Sequence, residues 1–335
     1  MNSRRRNHYD VTNTVRISHV GSVRLAVQKL LTGLYPKSDL RPITKAFETF
    51  TQLYAGTLPG YVGCDTWYHD AQHGLDCTLA VARLLDGHER SVWTSRPLGE
   101  RRCMLTIIVA LFHDAGYIRK TNELAQNGAE YTLTHVGRSG EFLAELLPQL
   151  GFADDVPLVK QLVHYTGYEV ALDKIKVKNS QDRLMGFMLG TADILAQTAD
   201  RCYLEKCRDY LYREFELAGL AGAPRSGEPK RRYASVEDLL AETPVFYQQK
   251  LRNERLDGHF ESVHRFIGAH FGGPNPYMEQ IEAHVVTIER MNRQHDYSKL
   301  KRRPHVIGAA EMRDQLKPPP RGSASHSVHR LRSSG

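Results

Sequence analysis

The chain contains no uninterrupted apolar run of about 18 residues, the length a membrane-spanning helix requires. Its first residues, Met1 to His8, are basic with no apolar stretch behind them. Neither a spanning helix nor a secretory signal is expected. Cysteine is scarce. The five present, Cys64, Cys77, Cys103, Cys202 and Cys207, are odd in number and include no Cys-x-x-Cys pair. That argues against a disulfide framework or a zinc ribbon and for a reducing cytoplasm. Cys103 lies in an apolar run and reads as a small core residue. No internal repeat is visible, and the only hint of strand alternation is a weak one at Val11, Val15 and Ile17.

The chain also lacks a basic body, although its pI is near 9.1. From residue 299 to 335 there are nine Lys or Arg against two Asp or Glu, a surplus equal to the whole formal charge of +7. The remainder is balanced, so a nucleic-acid partner is not expected. The same stretch is rich in Pro, Ser, Arg and His after Pro304 and reads as a disordered tail.

What the sequence does have is helical periodicity. At 335 residues and 41% apolar it can build a sizeable core. Val23, Ala26, Leu30, Leu31 and Leu34 recur at helical spacing, then Pro36 breaks the pattern before a second helix at 42–54. A loop over 57–63 leads to a helix expected to start near Asp65 or Thr66 and to stop at Gly87. Further helices fit 103–112, 136–150, 156–166, 182–217, 236–271 with a break near Thr243-Pro244, and 277–295, with a surface loop over 219–235. The expected fold is all-α: a helical extension over 1–60, a bundle over 61–300 and a tail over 301–335.

Chemistry-bearing residues recur within this pattern. In Tyr68-His69-Asp70-Ala71-Gln72-His73 the two histidines are four apart, which on one helix puts both on one face. Such a pair can divide metal binding from proton transfer, or be two surface histidines. His113-Asp114 ends a helix that is apolar from Cys103 to Phe112. An imidazole and a carboxylate buried there need a partner, and a cation is a natural one. A third such dipeptide, His295-Asp296, precedes a basic run and reads as surface. Asp193 sits among large apolar residues, and Gly186, Gly190, Asp193 and Gln197 form one helical stripe, read as a pocket wall. His135, at a helix start, and His164, near a helix end, are either further ligands or capping residues.

The order His, His-Asp, His, His, Asp resembles the HD-domain superfamily of metal-dependent phosphohydrolases. Tyr68-His69-Asp70-x-x-His73 is similar to the Tyr-His-Asn-x-x-His signature of class I cyclic-nucleotide phosphodiesterases and their bacterial relatives, and the similarity covers roughly residues 60–200. The resemblance implies that His73, His113, Asp114 and Asp193 hold one metal, that Asp114 bridges to a second, and that His135 and His164 complete the second. It makes His69 the proton donor to the leaving oxygen. Asp70 replaces the family's Asn, Ala115-Gly116-Tyr117 follows where those phosphodiesterases have another Asp-His, and their purine-selecting glutamine has no counterpart. These departures bear on cyclic-nucleotide specificity, which the resemblance leaves open, and not on the hydrolytic chemistry it implies.

The expected activity is hydrolysis of a phosphodiester or nucleotide by a water activated between two divalent ions (Mn, Fe, Mg or Zn). Arg119, Lys120 and Arg138 are candidates to neutralise substrate phosphate, and Gln197 to hold a substrate group. A diiron oxygenase and a catalytically inactive module of the same fold are the rival readings. His69, a proton donor an oxygenase does not need, and the complete ligand set weigh against them.

Overall fold

The computed structural model describes residues 5–91, 96–224 and 231–317. Among the described residues there is no strand longer than an isolated bridge, and the fold is all-α. The expected alternation at Val11 to Ile17 amounts to one such bridge, between Tyr9 and Arg16.

Helix α1 (Val20–Leu34) buries Val23, Val27 and Leu31, and α2 (Arg41–Ala55) begins with Pro42 in its first turn, where a missing N–H costs nothing. Gly56, at φ 70°, ends α2 in the left-handed conformation that favours glycine. Both helices pack into the main hydrophobic cluster with the rest of the body.

The centre of the bundle is α3 (Ala71–Arg90), whose residues 71–88 are all buried. A helix covered on every side must partner its polar residues. Arg83 donates to Asp10 Oδ2 at 2.6 Å and to Tyr277 Oη at 2.7 Å, and Asp86 takes Arg90 and His270, each at 2.7 Å. Gly87 does not end the helix. A Cβ there would lie 1.8 Å from Phe266 O, so this glycine lets another helix press directly against α3.

Around α3 stand α4 (Glu100–Phe112), α5 (His135–Leu146), α6 (Val156–Leu162) and α7 (Ser180–Thr198). The expected helix over 182–217 is interrupted where Asp200 Oδ1 accepts from Cys202 N at 2.6 Å. It resumes as α8 (Tyr203–Lys206), a π-type stretch Cys207–Leu211, and α9 (Tyr212–Leu217). Pro244 sits inside α10 (Val236–Phe246) without breaking it, and the chain continues through thirteen residues of π-type winding, Tyr247–His259. The true break comes later, where Glu261 and Ser262 adopt positive φ before α11 (Arg265–Phe271). The loop over 219–235 is not wholly superficial, because Ala221 and Tyr233 pair and are buried.

After α12 (Pro276–Gln294) the expected tail departs from expectation. Ile307 and Met312 are buried in the main cluster, and residues 309–316 form α13 (Ala309–Leu316). Arg313 donates to Ala55 O at 2.9 Å, and Gln315 Oε1 accepts from Val20 N at 2.9 Å. The basic composition misled because two apolar side chains suffice to dock so short a helix. Residues 318–335 of the expected tail lie outside the described residues. Among the described residues no helix is long and apolar enough to cross a membrane.

Candidate metal centre

His73 reaches the centre from the first turn of α3. That turn is set by Asp70, whose Oδ1 accepts from His73 N at 3.1 Å as the N-cap. The helix therefore begins at Ala71 rather than near Asp65. His69 lies just outside it, at the end of the bent segment 67–69, and does not share a helical face with His73.

His113 and Asp114 follow the last residue of α4, and Asp193 projects from α7. The four groups converge. His73 Nε2 lies 3.2 Å from His113 Nε2, 3.4 Å from Asp114 Oδ2 and 3.1 Å from Asp193 Oδ1. His113 Nε2 lies 3.2 Å from Asp114 Oδ2 and 3.6 Å from Asp193 Oδ1. Nδ1 of His113 is 2.8 Å from Ala110 O, which can only accept. Burial opposes the charged ring, yet Asp114 raises its pKa well above the usual value, so Nε2 carries a proton toward the carboxylates and would turn its lone pair to the cluster when a cation displaces that proton.

Ligand atoms about 2.1 Å from a common tetrahedral ion lie about 3.4 Å from one another. The observed separations of 3.1 to 3.6 Å bracket that edge. Asp114 Oδ2, moreover, is buried and accepts no hydrogen bond. The buried His73, His113 and Asp114 could hold a metal ion; Asp193 Oδ1 stands 3.1 Å from His73 Nε2 and 3.6 Å from His113 Nε2 but lies outside that group of three.

Burial opposes the charge on Asp114, yet His113, followed by His69 and His73, keeps its carboxyl well below the usual range. Burial likewise opposes Asp193, and hydrogen bonds from His113 and His73 lower it. Both carboxylates are thus held ionised.

On the other side of Asp114, His135 Nε2 stands 3.6 Å from Oδ1. Its Nδ1 is 2.8 Å from Thr132 O, which again leaves Nε2 turned toward the carboxylate. Burial lowers its pKa and favours the neutral ring. The approach of its helix depends on Gly116, where a Cβ would meet His135 O at 1.9 Å. His164 is placed differently. It lies half-buried in the 3₁₀ turn Val163–Thr166, its Nδ1 has no hydrogen-bond partner, and among the described residues it makes no ion pair with the site's carboxylates.

His69 is held by a residue the sequence did not single out. Its Nδ1 is 2.6 Å from Glu214 Oε2, and Glu214 Oε1 accepts from Trp67 N at 2.7 Å and Tyr68 N at 2.6 Å. Burial would lower the ring's pKa, but the charge and hydrogen bond of Glu214, with Asp114 and Asp193 behind it, raise it. Tyr117, also not singled out, lies parallel to both His69 and His135, with ring centroids 4.4 and 4.2 Å away.

The remaining candidates do not face the centre in the way expected. Gln197 donates to Asp193 Oδ1 at 3.0 Å and accepts from Tyr68 Oη at 3.3 Å, so it braces a ligand. Arg138 is taken by Glu123 and Gly116 O, each at 2.7 Å, and Arg119 by Asp65 at 2.8 Å. Lys120 is half-exposed beside Glu145. The space beside Gly186 and Gly190 is filled by the rings of Tyr165 and Phe260, not open.

His69, Asp114, His135 and Asp193 line a cavity of about 370 Å³, and the arginines in its wall are Arg232 and Arg255. Two larger surface clefts contain none of these four residues. Neither family models nor curated proteins nor solved structures gave a match to the chain.

Proposed function

We propose that the protein is a metal-dependent phosphohydrolase of the HD type. What supports this reading is the convergence of the buried His73, His113 and Asp114 at metal-ligand spacing, with Asp193 against the two imidazoles and a histidine held by a carboxylate beside them. Asp114 and His135 would hold a second ion on the other side of that carboxylate. Two divalent cations bound there would lower the pKa of a shared water and polarise a phosphoryl group.

The chain's own residues supply the rest. Asp114 and Asp193 bring negative charge that only cations offset, and Gln197 keeps Asp193 from turning away. Glu214 fixes Nδ1 of His69 as a donor, so a protonated ring presents Nε2–H as the acid for the departing alkoxide. Tyr117 holds His69 and His135 by stacking. A proton donor positioned in this way supports hydrolysis over oxygen activation. Five free, buried thiols fit the expectation of a cytoplasmic protein.

The test is to purify the protein, determine bound metals, and assay phosphate release and oxygen uptake side by side on phosphomonoesters and phosphodiesters with added Mn²⁺ or Fe²⁺. Metal-dependent phosphate release is expected. Oxygen uptake without it, or a protein that binds no divalent metal, overturns the reading.

A further inference from the structure

The cavity that contains Asp114 and Asp193 follows the seam between two hydrophobic clusters. Ile194 and Leu251 belong to the larger cluster, and Tyr203, Tyr233 and Leu239 to the smaller. Two packed clusters that leave about 370 Å³ between them forgo dispersion contacts along the whole seam, and the loss grows with the void. An apolar void is also a poor place for water, which needs several polar partners to stay.

Several of the polar groups in the wall are already engaged within the protein, and the polar atoms of Tyr168, Tyr203 and Tyr233 are single hydroxyls on aromatic rings. Gln197 is hydrogen-bonded at both ends of its amide. Arg255 donates to Tyr165 O and Gly167 O and lies 3.8 Å from the centroid of the Tyr168 ring. Thr243 Oγ1 donates to Leu239 O at 2.8 Å, and Glu169 accepts from the backbone of Val136 and Gly137. Selective recognition of a nucleobase requires free donors and acceptors set against its edge. This wall offers mainly aromatic and aliphatic faces, with Arg232 and Glu242 exposed to solvent.

A second observation points the same way. Both π-type stretches feed this wall, Cys207 and Leu211 from one, Leu251 and Arg255 from the other. Such winding occurs mostly where side chains must be re-aimed at a functional site.

We infer that the seam receives the apolar part of the substrate, and that the substrate is a phosphate ester of a large hydrocarbon alcohol rather than a nucleotide. This rests on the hydrolytic reading above. Water adds to phosphorus, the P–O bond to the alcohol oxygen breaks, and His69 gives that oxygen its proton. Inorganic phosphate and the free alcohol leave, and the proton released by the attacking water restores His69.

The experiment uses the full-length, metal-loaded protein and n-alkyl phosphates from methyl to decyl below their micelle concentrations, with adenosine monophosphate for comparison. Binding of the matching non-hydrolysable alkylphosphonates is followed by calorimetry. The expected result is a rise in kcat/KM of about fourfold per methylene until the seam is filled, following the transfer of each CH₂ from water. Phosphonate affinity should rise in parallel. Leu239→Gln should flatten both series, and the wild-type series stands alone if that variant does not fold.

Turnover with no dependence on chain length, or adenosine monophosphate preferred over octyl phosphate, overturns the inference and leaves the hydrolytic reading intact. If no ester is turned over yet octylphosphonate binds more tightly than butylphosphonate, the seam stands and the hydrolytic reading falls. Equal binding of all phosphonates overturns the seam on its own.

Discussion

Glu214 Oε2 stands 2.6 Å from His69 Nδ1 although 145 residues separate the two in the chain. Because the same carboxylate also accepts from the backbone of Trp67 and Tyr68, it fixes the segment that carries His69 as well as the ring itself. The proton donor we propose is thus oriented by a group outside the candidate metal ligands.

Glu214→Gln should therefore move a pH profile rather than remove metal. Glu214 raises the pKa of His69, so the acid form persists to higher pH and the rate falls as pH rises through that raised value. With Gln the alkaline limb should shift to lower pH. In stability the same shift helps below the unfolded value of about 6.5 and is lost as pH rises through the folded one. Rate profiles with metal analysis of each variant check this, and an unmoved alkaline limb would show that His69 is not the titrating acid.

Asp114→Ala and His69→Ala should fail in different ways. The first removes the carboxylate that faces His73 and His113 with one oxygen and His135 with the other, so metal content and activity should fall together. The second should keep its metal while turnover drops about 10²–10⁴-fold on alkyl esters, the usual worth of a positioned general acid. A nitrophenyl ester, whose leaving group needs no proton, should be largely spared. Full metal retention in Asp114→Ala would sink the assignment.

Much of this centre was legible in the sequence because burial was. His113-Asp114 and Asp193 stand out since the residues around them are apolar enough to make an unpartnered charge expensive. The position of His69 was not legible. Asp65, Thr66 and Asp70 are all good caps, and what favours Asp70 is a contact 237 residues away, Ile307 N donating to its Oδ2 at 2.7 Å. Glu214 differs from Glu216 in nothing local. Arg119 and Arg138 are near the ligands along the chain, but each is held by a carboxylate elsewhere, so proximity in sequence did not become proximity in space. Gly186 and Gly190 mark places where aromatic rings press against α7, and a missing side chain was read as room when it signalled contact.

The C-terminal helix should matter to the fold. Met312 is fully buried, and Met312→Ala should cost about 2–5 kcal/mol as a core truncation. Ending the chain after Pro304 should lower the melting temperature further. An unchanged melting curve in calorimetry would show that α13 does not dock in solution.

Acid should act through His284, which burial holds neutral, its pKa pushed down to about 4. Nδ1 is 3.0 Å from Thr198 O, and Nε2 is 3.0 Å from Gln280 Nε2, an arrangement that suits the neutral ring. A lowered histidine stabilises above its unfolded value of about 6.5, and that stability drains away as pH falls from there toward 4, on the order of 3 kcal/mol in all. Denaturant melts at pH 7 and pH 4.5 should show a loss that is smaller in His284→Gln. An equal loss in both would move the acid sensitivity to another group.

Asp70 joins two ends of the molecule: one oxygen starts the helix that carries His73, and the other grips Ile307 N, while Ala71 N returns a bond to Ile307 O at 3.2 Å. During synthesis, then, the helix that carries His73 is made early but receives this anchor only when residue 307 has left the ribosome. A product clipped between Asp70 and Ile307 would lose the anchor, and with it a restraint on the first turn from which His73 projects.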